Sequence, residues 1–235
     1  MIYVWIMAIA AGLTPRTVLV ASLVTAWGVR LTFNFARRGG YSWPPWAGEE
    51  DYRWAIVRKE PMFASRWAWS AFNLFFISLY QMGLVLLFTL PMLMCIEGPG
   101  SIIGWDLVLA ALFLIALVIE TMADQQQWEY QQEKIRLKAS SGTLPDRFAK
   151  GFVHHGLWGI VRHPNYTAEQ AQWILFFGFS IVATGRWINW SLTGAILLIL
   201  LFRGSVDLGE KISTGKYPDY AEHKRKVPCF IPGIK

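Results

Sequence analysis

Long apolar runs separated by polar loops constrain this chain more than any other feature of its sequence. Runs such as Val18–Phe35 and Ile102–Ala123 contain few charged residues, and about 20 mainly apolar residues are enough for a helix to cross a bilayer. Charged residues make up only 16% of the chain, against about 25% in soluble domains. The sequence therefore predicts a helical membrane protein.

The apolar runs divide the chain into six candidate spans. They are Tyr3–Leu13, Val18–Phe35, Trp67–Ile96, Ile102–Ala123, Glu169–Thr184 and Ile188–Phe202. The first run is shorter than a full crossing needs, so it is predicted to be a short or tilted helix. We expect an all-α fold, namely a polytopic membrane bundle of about six transmembrane helices, in one integral membrane domain over residues 1–235.

Basic residues are distributed unevenly between the loops, and this distribution predicts an orientation. The loops Arg37–Arg66 and Lys134–Arg162 and the C-terminal tail are basic, whereas the turns at Pro15, Pro99 and Gly185 carry at most one basic residue each. Positively charged loops stay in the cytoplasm. We therefore expect cytoplasmic termini, in either the endoplasmic reticulum or the bacterial inner membrane. Because the net charge of +6 resides in these loops, no nucleic-acid partner is expected.

Cysteine and histidine spacing gives no sign of a disulfide framework or a metal site. Cys95 and Cys229 are far apart and belong to no CxxC motif, so we expect small apolar side chains. His154 and His155 are adjacent, but no further ligands follow at a suitable spacing. No metal is predicted.

The segment Gly156–Trp173, GLWGIVRHPNYTAEQAQW, concentrates polar groups just before an apolar run. Proline is favoured in the first turn of a helix, so a helix is predicted to begin at Pro164. Asn165 and Glu169 are then one turn apart and share a face. An interfacial belt that only anchors the helix would explain the tryptophan, tyrosine and basic residues. Asn165 and Glu169 favour a functional site instead, because polar groups at membrane depth are costly.

Polar residues near the ends of three apolar runs, at Glu120, Asn165 and Arg203, are expected on the same cytoplasmic side. We expect them to line one cavity that is open to the cytosol. Guanidinium and ammonium groups bind phosphate, and tryptophans can stack on a ring. The residues expected to meet a phosphate-bearing soluble cofactor by this reasoning are Arg162, His163, Arg203 and Lys211 for phosphate, Asn165, Glu120 and Asp124 for amide and ribose groups, and Trp128 and Trp158 for stacking. The sequence contains no glycine-rich nucleotide loop, so spacing alone does not identify the cofactor.

Three segments of the chain resemble a known family. LWGIVRHPNYTAEQAQW, the helix end ETMADQQQWEY and the tail RGSVDLGEKISTGKYPDYAEHKRKVPCFIP resemble the steroid 5-alpha-reductase-like superfamily. The most similar branch is DUF1295, which is related to the sterol C14/C7 reductases and more distantly to isoprenylcysteine carboxyl methyltransferase-like proteins. The RHPNY motif alone is less specific than the combination, because methyltransferase-like proteins carry RHPxY too.

The resemblance implies a membrane bundle that holds NADPH from the cytosolic side, with a cofactor-binding half at about residues 101–235. The residues that it implies as cofactor contacts are Glu120, Asp124, Arg162, His163, Asn165, Tyr166, Arg203, Asp207 and Tyr217 or Tyr220. Trp158, Glu169 and Lys211 are predicted to complete the set.

The activity that this resemblance implies is reduction of a carbon–carbon double bond in a lipid, steroid or isoprenoid enone. The nicotinamide would deliver hydride to the β carbon, and a general acid would supply the proton. Tyr80 is the candidate acid, with Glu49 and Glu50 as weaker candidates. Expected partners are the lipid or steroid-like substrate and membrane lipids.

Two alternatives stay open at this point. The first is an S-adenosylmethionine-dependent methyltransferase of a lipid or prenylated thiol. Such proteins share RHPxY and a similar tail, but they often have paired glutamates where this chain has the stretch from Arg203 to Asp207. The second is a non-catalytic relative, because Thr167 and Ala168 replace the Phe-Gly pair that many reductase relatives carry after RHPNY.

Overall fold

The computed structural model describes residues 1–44, 47–48, 51–141 and 144–234. Over these residues the chain is mainly helical and forms no strand, which confirms the all-α prediction. The α-helices are α1 Ile2–Ala10, α2 Pro15–Arg37, α3 Tyr52–Val57, α4 Arg66–Phe72, α5 Gln81–Thr89, α6 Pro91–Glu97, α7 Gly104–Ser141, α8 Leu157–Ile160, α9 Pro164–Thr184, α10 Leu192–Lys216 and α11 Tyr220–Lys226. A π-helical segment, Asn73–Tyr80, connects α4 to α5, and the short 3₁₀ helices are Pro61–Phe63 and Asp146–Phe148.

Four helices in the described part of the chain are long and apolar enough to cross a membrane. They are Pro15–Arg37, Arg66–Glu97, Gly104–Ser140 and Leu192–Lys216. The first apolar run forms only the nine-residue helix α1. Helix α9 has 21 residues, but Asn165, Glu169 and Gln172 make its first half polar. The chain is therefore a membrane protein by length and composition of its helices, and the count of about six spans stays a prediction.

Local capping explains where the helices begin. Thr14 precedes Pro15 and accepts a hydrogen bond from the backbone N–H of Thr17, as an N-cap residue does. Helix α9 begins at Pro164, as predicted. Helix α10 begins at Leu192 rather than at the expected Ile188, because the side chain of Asn189 accepts hydrogen bonds from Ser191 and holds a turn there.

The chain divides into two compact units. The first unit comprises Met1–Ala110 and Phe176–Leu198, and the second comprises Ala111–Leu175 and Ile199–Lys235. Helices α7, α9 and α10 are each divided between the two units.

A buried ion pair closes one end of the first unit. Arg16 and Asp106 are 1% and 0% exposed, and the guanidinium donates from Nε to Oδ1 at 3.0 Å and from Nη2 to Oδ2 at 2.9 Å. Arg16 also donates to the carbonyl of Pro99, and Asp106 accepts from the backbone N–H of Ile103. The turn before α2 is thereby joined to the turn before α7.

A third turn reaches the same end of this unit. An added Cβ at Gly98 would lie 2.2 Å from the carbonyl oxygen of Ala183, so only glycine fits there. Arg186 Nη1 lies 4.0 Å from Glu97 Oε2. The three turns that the sequence marks as poor in basic residues therefore lie together.

Candidate functional site

Every residue predicted to contact a cofactor belongs to the second unit. These residues come from the last part of the apolar run in α7, the RHPNY segment, and α10 with the tail that follows. The full set is Glu120, Asp124, Trp158, Arg162, His163, Asn165, Tyr166, Glu169, Arg203, Asp207, Lys211, Tyr217 and Tyr220.

Two carboxylate–amide pairs join α7 to α9. Gln172 Nε2 donates to Glu120 Oε2 at 2.7 Å, and Asn165 Nδ2 donates to Asp124 Oδ1 at 3.2 Å. Glu120, Asp124 and Gln172 are all buried. Since buried polar groups need hydrogen-bond partners, these pairs fix the facing positions of the two helices.

Three side-chain amides in this part of the second unit keep an unused oxygen. Gln127 Oε1, Asn165 Oδ1 and Gln172 Oε1 are buried and accept no hydrogen bond from any described residue. Burying such an acceptor without a donor costs about 1–3 kcal/mol. The arrangement is therefore suited to receive N–H or O–H donors from a bound molecule.

The segment before α9 is attached to α7 by its own contacts. Trp158 Nε1 donates to the carbonyl of Ala123 at 2.9 Å, and the backbone N–H of Leu157 donates to Gln126 Oε1 at 3.0 Å. Gly156 has φ +60°, and an added Cβ would lie 2.6 Å from Gln126 Oε1. The glycine and the tryptophan of this motif thus position the entry to α9.

Glu210 is the centre of a second polar cluster. Its Oε1 accepts from Arg162 Nε at 2.6 Å and lies 3.0 Å from His163 Nε2, and its Oε2 lies 2.8 Å from Lys224 Nζ. Glu210 is 2% exposed. One buried carboxylate thus binds two permanent cations and an imidazole.

The C-terminal tail runs along the RHPNY segment and is bonded to its backbone. The N–H groups of Arg162 and His163 donate to the carbonyls of Pro228 and Cys229 at 2.9 and 3.2 Å. Thr167 Oγ1 donates to the carbonyl of Phe230 at 3.0 Å. The tail therefore holds the start of α9 in place through these three hydrogen bonds.

These contacts change the interpretation of two predicted cofactor contacts. Arg162 and His163 were expected to face a phosphate-bearing cofactor, whereas the structure bonds both side chains to Glu210. Arg162 Nη1 also donates to the carbonyls of Lys224 and Val227. Their contact with a cofactor stays a prediction, and their observed contacts position the motif.

The predicted contacts did not include Glu210, Gln172 or Lys224. Gln172 follows Asn165 by seven residues and therefore shares its helical face, a signal that was available. Glu210 likewise follows Arg203 by seven residues. Lys224 carried no such signal, because it reaches Glu210 from the separate helix α11.

The basic residues on α10 are exposed. Arg203 and Asp207 have side chains that are 64% and 65% exposed, with Nε and Oδ2 3.9 Å apart, and Lys211 is exposed one turn further along. Such a pair contributes little to stability. Arg203 and Lys211 can therefore turn towards an anion without losing a structural contact.

The predicted tyrosines lie in aromatic contacts. Tyr166 stacks on His163 with ring centroids 5.6 Å apart. Tyr217 and Tyr220 pack on Phe152 at 5.7 and 4.9 Å. Tyr220 is buried, so it stabilises the tail.

Glu169 is partly buried and lies one turn after Asn165 in α9. The helix therefore presents both residues on one face, as the spacing predicts.

The ligand atoms of His163, Glu210 and Cys229 lie within 4.8 Å of one another. Metal coordination there is opposed by charge, because Arg162 and Lys224 already neutralise Glu210. Burial also raises the pKa of the Cys229 thiol, and metals bind the thiolate. Both cysteines are free.

The candidate acids lie outside this cluster. Tyr80 belongs to the first unit, where it ends the π-helical segment and stacks on Phe76 at 5.4 Å. Glu49 and Glu50 lie outside the described residues. The catalytic role of all three stays a prediction.

Comparison with known proteins identifies the family. A model of DUF1295, described as a protein of unknown function, matches residues 1–227. The chain belongs to the DUF1295 family. It is 36% identical over 228 residues to an uncharacterised protein of Schizosaccharomyces pombe, with 93% of this chain covered. The chain spans 64% of the length of that relative. No solved structure matches the chain.

Proposed function

We propose that this DUF1295 protein is a membrane-embedded, NADPH-dependent reductase of a carbon–carbon double bond in a lipid, steroid or isoprenoid enone. The observation that carries the proposal is the Asp124–Asn165 pair, with its unused, buried Asn165 oxygen. The resemblance of the RHPNY segment to the steroid 5-alpha-reductase-like superfamily supports the same activity.

The residues of the second unit fit the chemical groups of NADPH. The carboxamide of nicotinamide has two N–H donors. The unused oxygens of Asn165, Gln172 and Gln127 can accept hydrogen bonds from them. The carboxylates of Glu120 and Asp124 can accept from ribose hydroxyls. Exposed Arg203 and Lys211 supply positive charge for phosphate. The donors and acceptors of the site are therefore complementary to a nicotinamide nucleotide.

When bound, NADPH supplies a hydride to the β carbon of the enone. The residues of the chain have three tasks. Asn165 and Gln172 would orient the carboxamide of the bound nucleotide, and buried Glu120 would hold Gln172 in place through their hydrogen bond. A general acid would supply the proton to the developing enolate, and Tyr80 stays the predicted candidate for that role.

A multi-pass arrangement with cytoplasmic termini accords with this function. The three turns that carry few basic residues meet at one end of the first unit, which supports a shared non-cytoplasmic side. The basic loops would then face the cytosol, where NADPH is available.

The test is a calorimetric titration of detergent-purified protein with NADPH, and in parallel with S-adenosylmethionine. We expect saturable NADPH binding in the wild type and binding about 5- to 150-fold weaker in Asn165→Ala, because a buried amide contact contributes about 1–3 kcal/mol. Gln132→Ala removes an exposed amide of α7 and should leave the affinity unchanged.

Three outcomes would contradict the proposal. S-adenosylmethionine binding in place of NADPH would indicate a methyltransferase. Equal weakening by Asn165→Ala and Gln132→Ala would place the nucleotide elsewhere. Binding of neither compound by folded protein would indicate a non-catalytic relative.

A further inference from the structure

A separate cavity of about 360 Å³ lies in the second unit, between the end of α7 and the loop that follows it. Its lining residues are Gln126, Glu129, Tyr130, Glu133, Arg147, Phe148, His154 and His155. None of them belongs to the proposed nucleotide contacts, and its volume is sufficient for a small organic molecule.

Helical geometry separates this cavity from the proposed nucleotide site. Successive residues of an α-helix are rotated by about 100°. The α7 residues that line the cavity are Gln126, Glu129, Tyr130 and Glu133. Their mean direction is therefore rotated by about 140° around the helix axis from the face that carries Glu120, Asp124 and Gln127. The two faces are distinct, and a molecule in the cavity would not replace the nucleotide.

The charge of the cavity favours a cation. Glu129 and Glu133 bring two carboxylates against the single guanidinium of Arg147, which leaves one net negative charge when both imidazoles are neutral. Arg147 pairs with Glu133 and lies over the Phe148 ring, with its guanidinium carbon 4.7 Å from the centroid. The chain thus already holds one cation of its own between a carboxylate and an aromatic face.

The remaining groups of the cavity can accept hydrogen bonds from a ligand. Tyr130 is 4% exposed, and its hydroxyl has no hydrogen-bond partner among the described residues. His154 Nδ1 lies 3.0 Å from the carbonyl of Phe152, so in the neutral ring Nδ1 carries the hydrogen and Nε2 is an acceptor. Glu129 is exposed on the rim and adds a carboxylate, whose Oε1 accepts from Gln125 Nε2 at 2.8 Å and whose Oε2 can accept from a ligand.

We propose that this cavity is a binding site for a protonated amine that carries N–H donors. The rings of Tyr130 and Phe148, 4.9 Å apart, contact its methylene groups, and Glu129 binds the ammonium. The Tyr130 hydroxyl accepts one N–H. The amine is either a free small molecule or the ethanolamine headgroup of a lipid, and both present the same ammonium.

Two measurements with purified full-length protein test this inference. Calorimetry with ethanolamine and with spermidine detects a free amine. Thermal unfolding in nanodiscs of phosphatidylethanolamine, compared with phosphatidylcholine, detects the headgroup. We expect saturable binding or headgroup-dependent stabilisation, and tetramethylammonium, which has no N–H, should bind more weakly than the amines.

Variants assign the effect to the cavity. Glu129→Gln changes an exposed residue, so the fold is retained, and it should weaken the amine about 10-fold because a charge-assisted hydrogen bond is lost. Tyr130→Phe should weaken it less, and Glu222→Gln, an exposed carboxylate of α11, should have no effect.

The inference is overturned if wild type shows neither free-amine binding nor a lipid difference. It is also overturned if Glu129→Gln binds like wild type or if tetramethylammonium binds as tightly as the amines. NADPH binding does not depend on these variants, so failure here leaves the proposed function untouched.

Discussion

The two compact units each contain a buried carboxylate that binds arginine, and the two arrangements differ in their charge. In the first unit Asp106 and Arg16 form a bidentate ion pair between one carboxylate and one guanidinium. In the second unit Glu210 contacts Arg162, Lys224 and His163. The first pair is neutral, whereas the second cluster keeps an excess positive charge.

This difference separates a structural contact from a site. The pair of the first unit joins two turns, and all of its charge is compensated internally. The cluster of the second unit positions the RHPNY segment while leaving positive charge beside it, which favours an anion. A buried ion pair by itself therefore does not indicate a functional site. Uncompensated charge within such a group of residues does.

The largest effect is expected at the neutral Arg16–Asp106 pair of the first unit. Asp106→Asn leaves the Arg16 guanidinium buried without a counter-charge, so it should destabilise the protein by about 3–5 kcal/mol. Equilibrium unfolding in detergent measures this change. The matched control is Asp207→Asn, whose partner is exposed, and it should change stability by less than about 0.5 kcal/mol.

If Asp106→Asn and Asp207→Asn proved equally mild, the first unit would not depend on its ion pair. A double variant, Arg16→Met with Asp106→Leu, should recover much of the loss, because an apolar pair removes both buried charges.

A smaller effect is expected at the Glu210 cluster of the second unit. Glu210→Gln removes the charge that Arg162 and Lys224 share, but Lys224 is 49% exposed and Arg162 retains backbone acceptors. The loss should therefore be about 1–3 kcal/mol, as measured by the same unfolding experiment. A loss as large as that of Asp106→Asn would mean that the two clusters do not differ as described.

The smallest effect is a dependence of stability on pH. Burial lowers the pKa of His223 from 6.5 to about 4, with help from nearby His154 and Arg162. Between these values the folded state binds fewer protons than the unfolded state, so stability should fall as the pH drops from about 6.5 to 4. Unfolding midpoints at pH 7.5 and 5 measure this loss.

His223→Gln should reduce the fall in stability between these two pH values, since the side chain no longer titrates. An unchanged pH dependence in the variant would show that other groups cause it. The ion pair of the first unit contains no histidine, so this test addresses the second unit.

Much of the fold was predictable because hydropathy and proline positions indicate where the long helices lie and where they begin. Apolar runs located the long helices, and Pro164 located the start of α9. The late start of α10 was not predictable, since it depends on side-chain bonds of Asn189. Helical spacing placed Asn165 and Glu169 on one face, and the same spacing included Gln172.

The contacts between segments that are distant in sequence could not be predicted. Glu210 meets Arg162 across 48 residues of sequence, and Lys224 joins from another helix. Spacing within one helix gives no information on such pairs. The phosphate role expected for Arg162 came from its charge alone, whereas its observed partner is a carboxylate.

The assignment of NADPH to the second unit is tested most directly by hydrogen exchange with and without saturating NADPH, measured by mass spectrometry. We expect slower exchange at residues 120–127 and 162–172 of the second unit, because the nucleotide supplies donors to the unused amide oxygens there. Protection confined to Met1–Ala110, or no protection at any peptide, would contradict the assignment of NADPH to the second unit.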